Sequence, residues 1–167
     1  MGYEDHEKHA VSNVPCAVLT VSDTRTNESD ESGKIIIGML QSSGHRVTDY
    51  RIVKDNIAEI KSAITADLEN DDVKVIIING GTGLSKRDVT IEAVTPFLEK
   101  RMDGFGEMFR YLSFQEIGSA AMLSRALGGV AFRKIILCIP GSPHAVRLAM
   151  DKLILPQLGH MVWEVDR

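Results

Sequence analysis

The chain has 167 residues, a net charge of −4 and ordinary shares of apolar (44%) and charged (25%) residues, which fits one domain with its own core. It lacks the basic balance that nucleic-acid affinity needs to displace counterions. No apolar run nears the ~18 residues of a membrane span, and the acidic, polar opening MGYEDHEKHA has no signal-peptide profile, so a soluble cytoplasmic protein is expected.

Residues 1–14 show no periodicity and read as a flexible arm closed by Pro15, followed by a single domain over 15–167. CAVLTV (16–21) is a short apolar run, as a strand covered on both faces requires. The polar stretch SDTRTNESDESG follows as a loop, and KIIIGMLQSSG then shows helical spacing and stops at Gly44. RVTDYRIV alternates like a second strand, and IAEIKSAITADLEN is an amphipathic helix with Asn56 as N-cap. VKVIIIN is the clearest strand and runs straight into GGTGLSKRDVT. TIEAVTPFLEKRM is expected to be helical, capped by Thr90 and kinked or restarted at Pro96. Residues 104–127 should be helical in pieces broken near Gly118, with Phe105 and Phe109 in the core or at a subunit contact and Glu107 and Arg110 as an exposed pair. KIILCIPG (134–141) is a fourth strand, and a long last helix is disturbed at Pro156. Cys16 and Cys138 both lie in apolar runs and read as reduced, buried side chains.

Strands alternating with helices predict a three-layer α/β/α domain around a mostly parallel sheet. Such sheets bind ligands in the crevice beyond the carboxyl ends of their strands. The loops that fall there carry the chemistry. Gly80, Gly81 and Gly83 can expose main-chain amides to a phosphate, Thr82 adds a hydroxyl, and Lys86 and Arg87 add positive charge. Asp88 would repel a phosphate unless Mg²⁺ sits between them, held by one or two carboxylates and phosphate oxygens. The spacing fits neither the Walker loop nor the dinucleotide fingerprint. Ser22 and Asp23 leave the first strand, Asp55 ends the second, and Gly141 and Ser142 follow the last. Each loop alone reads as an ordinary strand-to-helix turn; four at one edge point to a phosphorylated ligand with a divalent cation. The five histidines show no zinc spacing, and no Gly-x-Ser-x-Gly elbow supports acyl transfer.

LTVSDT, GGTGLSKRDVT, GFGEMFR, MLSRALGG and PGSPHAV occur in this order, and over about residues 15–160 the chain resembles the MogA/MoaB family of molybdenum cofactor biosynthesis proteins. FRYLSFQEIGSAAMLSRA is closest to its MoaB branch. The resemblance implies a molybdopterin-binding fold and AMP transfer from Mg-ATP to the terminal phosphate of molybdopterin, with pyrophosphate released. It implies that Ser22 and Gly80 to Gly83 hold nucleotide or pterin phosphate, that Asp88 and Asp55 are catalytic and seat Mg²⁺, and that Ser124, Arg125, Gly141 and Ser142 line the pocket, with Asp23, Lys86 and Arg87 as further cofactor-binding residues. It also implies a homotrimer or homohexamer and a downstream molybdate-insertion protein as recipient. The alternative is a non-catalytic molybdopterin-binding member of the same family; the presence of both Asp55 and Asp88 favours the enzyme.

Overall fold

The computed structural model describes residues 10–167. Its six-stranded sheet has the order β2-β1-β3-β6-β5-β4, formed by β1 (Pro15–Val21), β2 (Arg46–Val53), β3 (Val75–Asn79), β4 (Lys100–Arg101), β5 (Leu127–Ala131) and β6 (Lys134–Ile139). The first four strands in that order run parallel, and β5 and β4 add an antiparallel edge.

Strand pleat divides the core into two. Cys16, Val18, Val75, Ile77, Ile135 and Leu137 face one side, and their sequence neighbours Ala17, Leu19, Ile76, Ile78, Ile136 and Cys138 face the other. Against the first face pack α1 (Glu31–Ser42), α4 (Asp103–Ile117), α5 (Pro143–Ala149) and α6 (Leu155–Asp166). Against the second pack α2 (Ile57–Glu69) and α3 (Thr90–Val94). The central strands are therefore dry on both sides, and each fully buried Ile or Leu contributes about 1.5–3 kcal/mol. The two free cysteines lie on opposite faces of the sheet, which rules out a bond between them. Burial pushes the Cys16 thiol up to about 12, so both the packing and the chemistry leave it inert.

Asn56 caps α2 as its sequence position predicts, accepting from the amides of Ala58 and Glu59. Several expectations are corrected. Helix α1 begins at Glu31, before the first apolar residue, because the buried Asp30 accepts from Gly33 N and caps it there. Thr90 is the first residue of α3 rather than its cap; its hydroxyl donates to Gly80 O at 2.8 Å. That helix lasts one turn, passes through a 3₁₀ turn at Thr95–Phe97 and leaves as the edge strand β4, since Pro96 cannot continue the ladder of helical amides. Strand β5 was not foreseen. Its glycines suit close packing: a Cβ on Gly128 would lie 3.1 Å from Phe105 Cβ. Phe105 and Phe109 are core residues, while Arg110 turns away from Glu107 to the carbonyls of Ser124 and Ala126. The last helix splits, with a π turn at Met150–Ile154 absorbing Pro156.

Residues 1–9 of the expected arm lie outside the described residues. At its other end Val11 N donates to Gly159 O at 3.1 Å and Val14 is buried. Among the described residues, no helix is long and apolar enough to cross a membrane.

Candidate functional site

Because β1, β2, β3 and β6 are parallel, the loops after Val21, Val53, Asn79 and Ile139 leave from one edge of the sheet. They also touch. Ser22 N donates to Val53 O at 2.8 Å and Gly80 N to Ile139 O at 3.1 Å. Asp55 N donates to Asp23 Oδ1 at 3.2 Å, and Arg25 Nη2 reaches across to Gly141 O at 3.0 Å. The four loops form one continuous rim.

The glycine loop is the tightest part of that rim. Gly80 has φ +97°, and a Cβ there would come within 2.3 Å of Val21 O; Gly81 has φ +65°, and its Cβ would meet Thr90 Oγ1 at 2.3 Å. Both positions thus need glycine, for conformation and for space alike. The amide of Gly80 is spent on Ile139, while among the described residues no acceptor meets the amides of Gly81, Thr82 and Gly83. Successive amides left unpaired in a turn make a concavity suited to an anion.

Asp55 and Asp88 stand beside this loop. A Cβ on Gly81 would lie 3.2 Å from Asp55 Oδ1, and one on Gly83 would lie 2.8 Å from Asp88 Oδ2. Asp88 Oδ2 also accepts from Ser85 N at 2.9 Å, which fixes the carboxylate. Burial, and then the charges of Asp23 and Asp88, hold the Asp55 carboxyl above its usual range, against the pull of Arg87. Two carboxylates at the lip of an anion-binding turn fit Mg²⁺, which takes one or two protein oxygens and fills its octahedron with phosphate and water. Among the described residues no group of three acidic, histidine or cysteine side chains gathers as a dedicated cage, so a cation here would share its coordination with a ligand.

The other expected residues fall into different roles. Arg87 extends over the rim, 77% exposed, and pairs with Asp23 at 2.7 Å; Lys86 is exposed. Thr82 is buried and presents its carbonyl to Arg125 N at 3.2 Å. Ser22 Oγ accepts from Arg25 N at 3.2 Å, and Ser142 Oγ caps α5 at Ala145 N, also 3.2 Å. Ser124 accepts at its side chain from Ala126 N. Arg125 is a loop clamp: Nε donates to Gly83 O at 2.8 Å, Nη2 to Asp88 O at 2.9 Å, and Nη1 binds Glu92. A cavity of about 340 Å³ opens nearby, lined by His144, Glu116, Arg147 and Lys152 among others, but it contains none of the expected site residues.

Sequence reasoning missed buried Asp30, Thr20 and Asn79 and half-buried Arg25, which form one network under the rim. Nothing local marks them, since Arg25 and Gly141 are 116 positions apart.

Residues 17–160 match the family described as "Probable molybdopterin binding domain". The chain belongs to this family. Molybdenum cofactor biosynthesis protein B of Bacillus cereus is 52% identical over 168 residues, covering 100% of this chain and 99% of that protein. A crystal structure of a molybdenum cofactor biosynthesis protein B superposes with a TM-score of 0.91 at 54% identity, covering 93% of this chain and 97% of the other. The tungsten cofactor synthesizing protein MoaB from Pyrococcus furiosus follows the same fold, with a TM-score of 0.83 at 31% identity over 95% and 100% of the two chains. The matched span contains all four rim loops, so the loops that meet in space belong to the family's shared domain.

Proposed function

We propose that this chain, acting in the cytoplasm, binds molybdopterin and Mg-ATP at the rim and transfers AMP to the terminal phosphate of the pterin, releasing pyrophosphate. Its role in molybdenum cofactor biosynthesis follows from family membership. The observation that carries the finer reading is that Asp55 and Asp88 flank a turn whose amides at Gly81, Thr82 and Gly83 meet no acceptor among the described residues.

In this reading an oxygen of the pterin phosphate attacks the α-phosphorus of ATP, a new P–O bond forms, and the bond to pyrophosphate breaks. Both partners are anions, so catalysis rests on positioning and charge neutralisation, with no covalent nucleophile from the chain. The glycine-loop amides orient phosphate oxygens. Asp55 and Asp88 would hold Mg²⁺, which would supply positive charge to offset that of the reacting phosphates. Arg87 shares that charge; its surface pair with Asp23 is of a kind worth about 0–1 kcal/mol, so turning from carboxylate to phosphate costs little. Assembly as a homotrimer or homohexamer, with hand-over to a molybdate-insertion protein, belongs to the same reading. It is supported by the exposed stripe of Met108, Tyr111, Phe114 and Ile117 on α4.

Single-turnover mixing of the protein with Mg-ATP and molybdopterin tests the reading: one pyrophosphate per site is expected. Retention of the pterin without pyrophosphate would leave the non-catalytic alternative, and retention of neither would remove both.

A further inference from the structure

We propose that Asp30 is the positioning residue of the rim, a single buried carboxylate that ties the first, third and last rim loops to one another. The inference rests on the rim being the ligand site.

Asp30 is 0% exposed and accepts from four donors: Thr20 Oγ1 at 2.6 Å, Tyr50 OH at 2.7 Å, Gly33 N at 3.0 Å and Arg25 Nη1 at 3.0 Å. Two arms run from it. In the first, Asp30 orients Arg25, whose Nη2 donates to Gly141 O at 3.0 Å. The helix start that Asp30 caps also carries Ser32, whose Oγ donates to the same carbonyl at 2.7 Å. In the second arm the hydroxyl proton of Thr20 goes to Asp30, which leaves the oxygen lone pairs for Asn79 Nδ2 at 2.8 Å. Asn79 directly precedes Gly80. The arms then meet, since a Cβ on Gly141 would lie 3.0 Å from Gly80 Cα. Ionised Asp30 thus fixes the direction of the Arg25 and Thr20 donors, and the circuit ends on the glycine loop, which carries the anion-binding turn, and on the last loop, which packs against it. Among the described residues Asn79 Oδ1 is buried without a hydrogen-bond partner, so the network sacrifices an acceptor to keep the amide on Thr20.

Residue-resolved amide exchange on the full chain tests this. The probes are Gly80 N, which donates to Ile139 O, and Ala145 N and Val146 N, which donate to Ser142. Asp30→Asn should speed exchange at all three by about tenfold or more, the scale set by losing a charged hydrogen bond, while amides inside β1 and β3 keep wild-type rates. Arg25→Gln should loosen only Ala145 and Val146, and Thr20→Val only Gly80. Tyr50→Phe removes a donor that leads to neither loop and should leave all three probes unchanged. Unchanged probes in Asp30→Asn, or acceleration spread evenly over the chain, would overturn the proposal. Should Asp30→Asn not fold, the arm-specific pattern of Arg25→Gln and Thr20→Val decides it in the same way. Mg-ATP titration of the wild type separates the two readings, because absent binding sinks the nucleotide site while the exchange pattern judges Asp30 independently.

Discussion

Arg125→Met is the substitution that best separates a loop clamp from a ligand contact. The guanidinium makes two well-formed bonds to main-chain carbonyls, at Gly83 and Asp88, and each such charged bond is worth about 1.5–3 kcal/mol. Its side chain is 27% exposed and that of its partner Glu92 is 49% exposed, so the sum is discounted and the ion pair itself adds less than about 1 kcal/mol. Methionine replaces most of the aliphatic volume, which keeps the cavity term small. The expected loss is therefore about 2–4 kcal/mol. For a chain of this length each kcal/mol moves Tm by about 2–4 °C, giving a fall of roughly 5–15 °C in thermal unfolding without ligand. Mg-ATP affinity should fall as well, because the loop carbonyls lose their anchor and the adjoining amides drift. Arg125→Lys should recover little, since an ammonium cannot span both carbonyls in one plane. Unchanged unfolding together with lost Mg-ATP binding would refute the clamp and put the guanidinium on the ligand.

Asp88→Asn and Asp55→Asn should each reduce adenylyl transfer by orders of magnitude with unfolding nearly unchanged, measured as single-turnover pyrophosphate release. Gly81→Ala should abolish phosphate binding in calorimetry at a stability loss of about 1–2 kcal/mol, because alanine resists φ +65° and meets Thr90. Asp30 supplies a pH signature. Burial alone would raise its pKa, but the bonds from Thr20, Gly33, Tyr50 and Arg25 bring it below the usual carboxylate value. Its stabilisation is therefore fully present above about pH 4 and is lost as pH falls through the depressed folded value, so the stability gap between wild type and Asp30→Asn should narrow in acid denaturation curves. Finally, Phe132 and Arg133 turn the β5–β6 hairpin at φ 49° and 60°. Replacing them by Asn-Gly should raise stability by about 1 kcal/mol in chemical denaturation.

The parallel half of the sheet was legible because β1, β3 and β6 are nearly uninterrupted apolar runs and β2 alternates at strand period, and a run such as VIIIN leaves no exposed face to disguise it. The antiparallel edge was not. LGGVA carries two glycines, KR carries two charges, and the hairpin between β5 and β6 turns on Phe-Arg rather than on the Asn-Gly that announces such turns. Within the site, the glycine loop and its two carboxylates could be picked out by residue type and spacing. Their partners could not, since Arg125 and Asp88 or Arg25 and Gly141 are brought together only by the order of the strands. Ser142 and Thr82 show the converse: hydroxyls that suggest ligand contact serve a helix cap and the interior.

The position of β3 between β1 and β6 has a consequence for synthesis. A growing chain that has emerged through α3 holds β1, β2 and β3 but not β6, so one side of Val75–Asn79 presents bare backbone and aliphatic side chains to the cell. Such an uncovered strand edge recruits other chains. The interval between translation of residue 79 and docking of residues 134–139 is then when newborn copies are most prone to clump, and pauses inside that window should lower soluble yield more than pauses outside it.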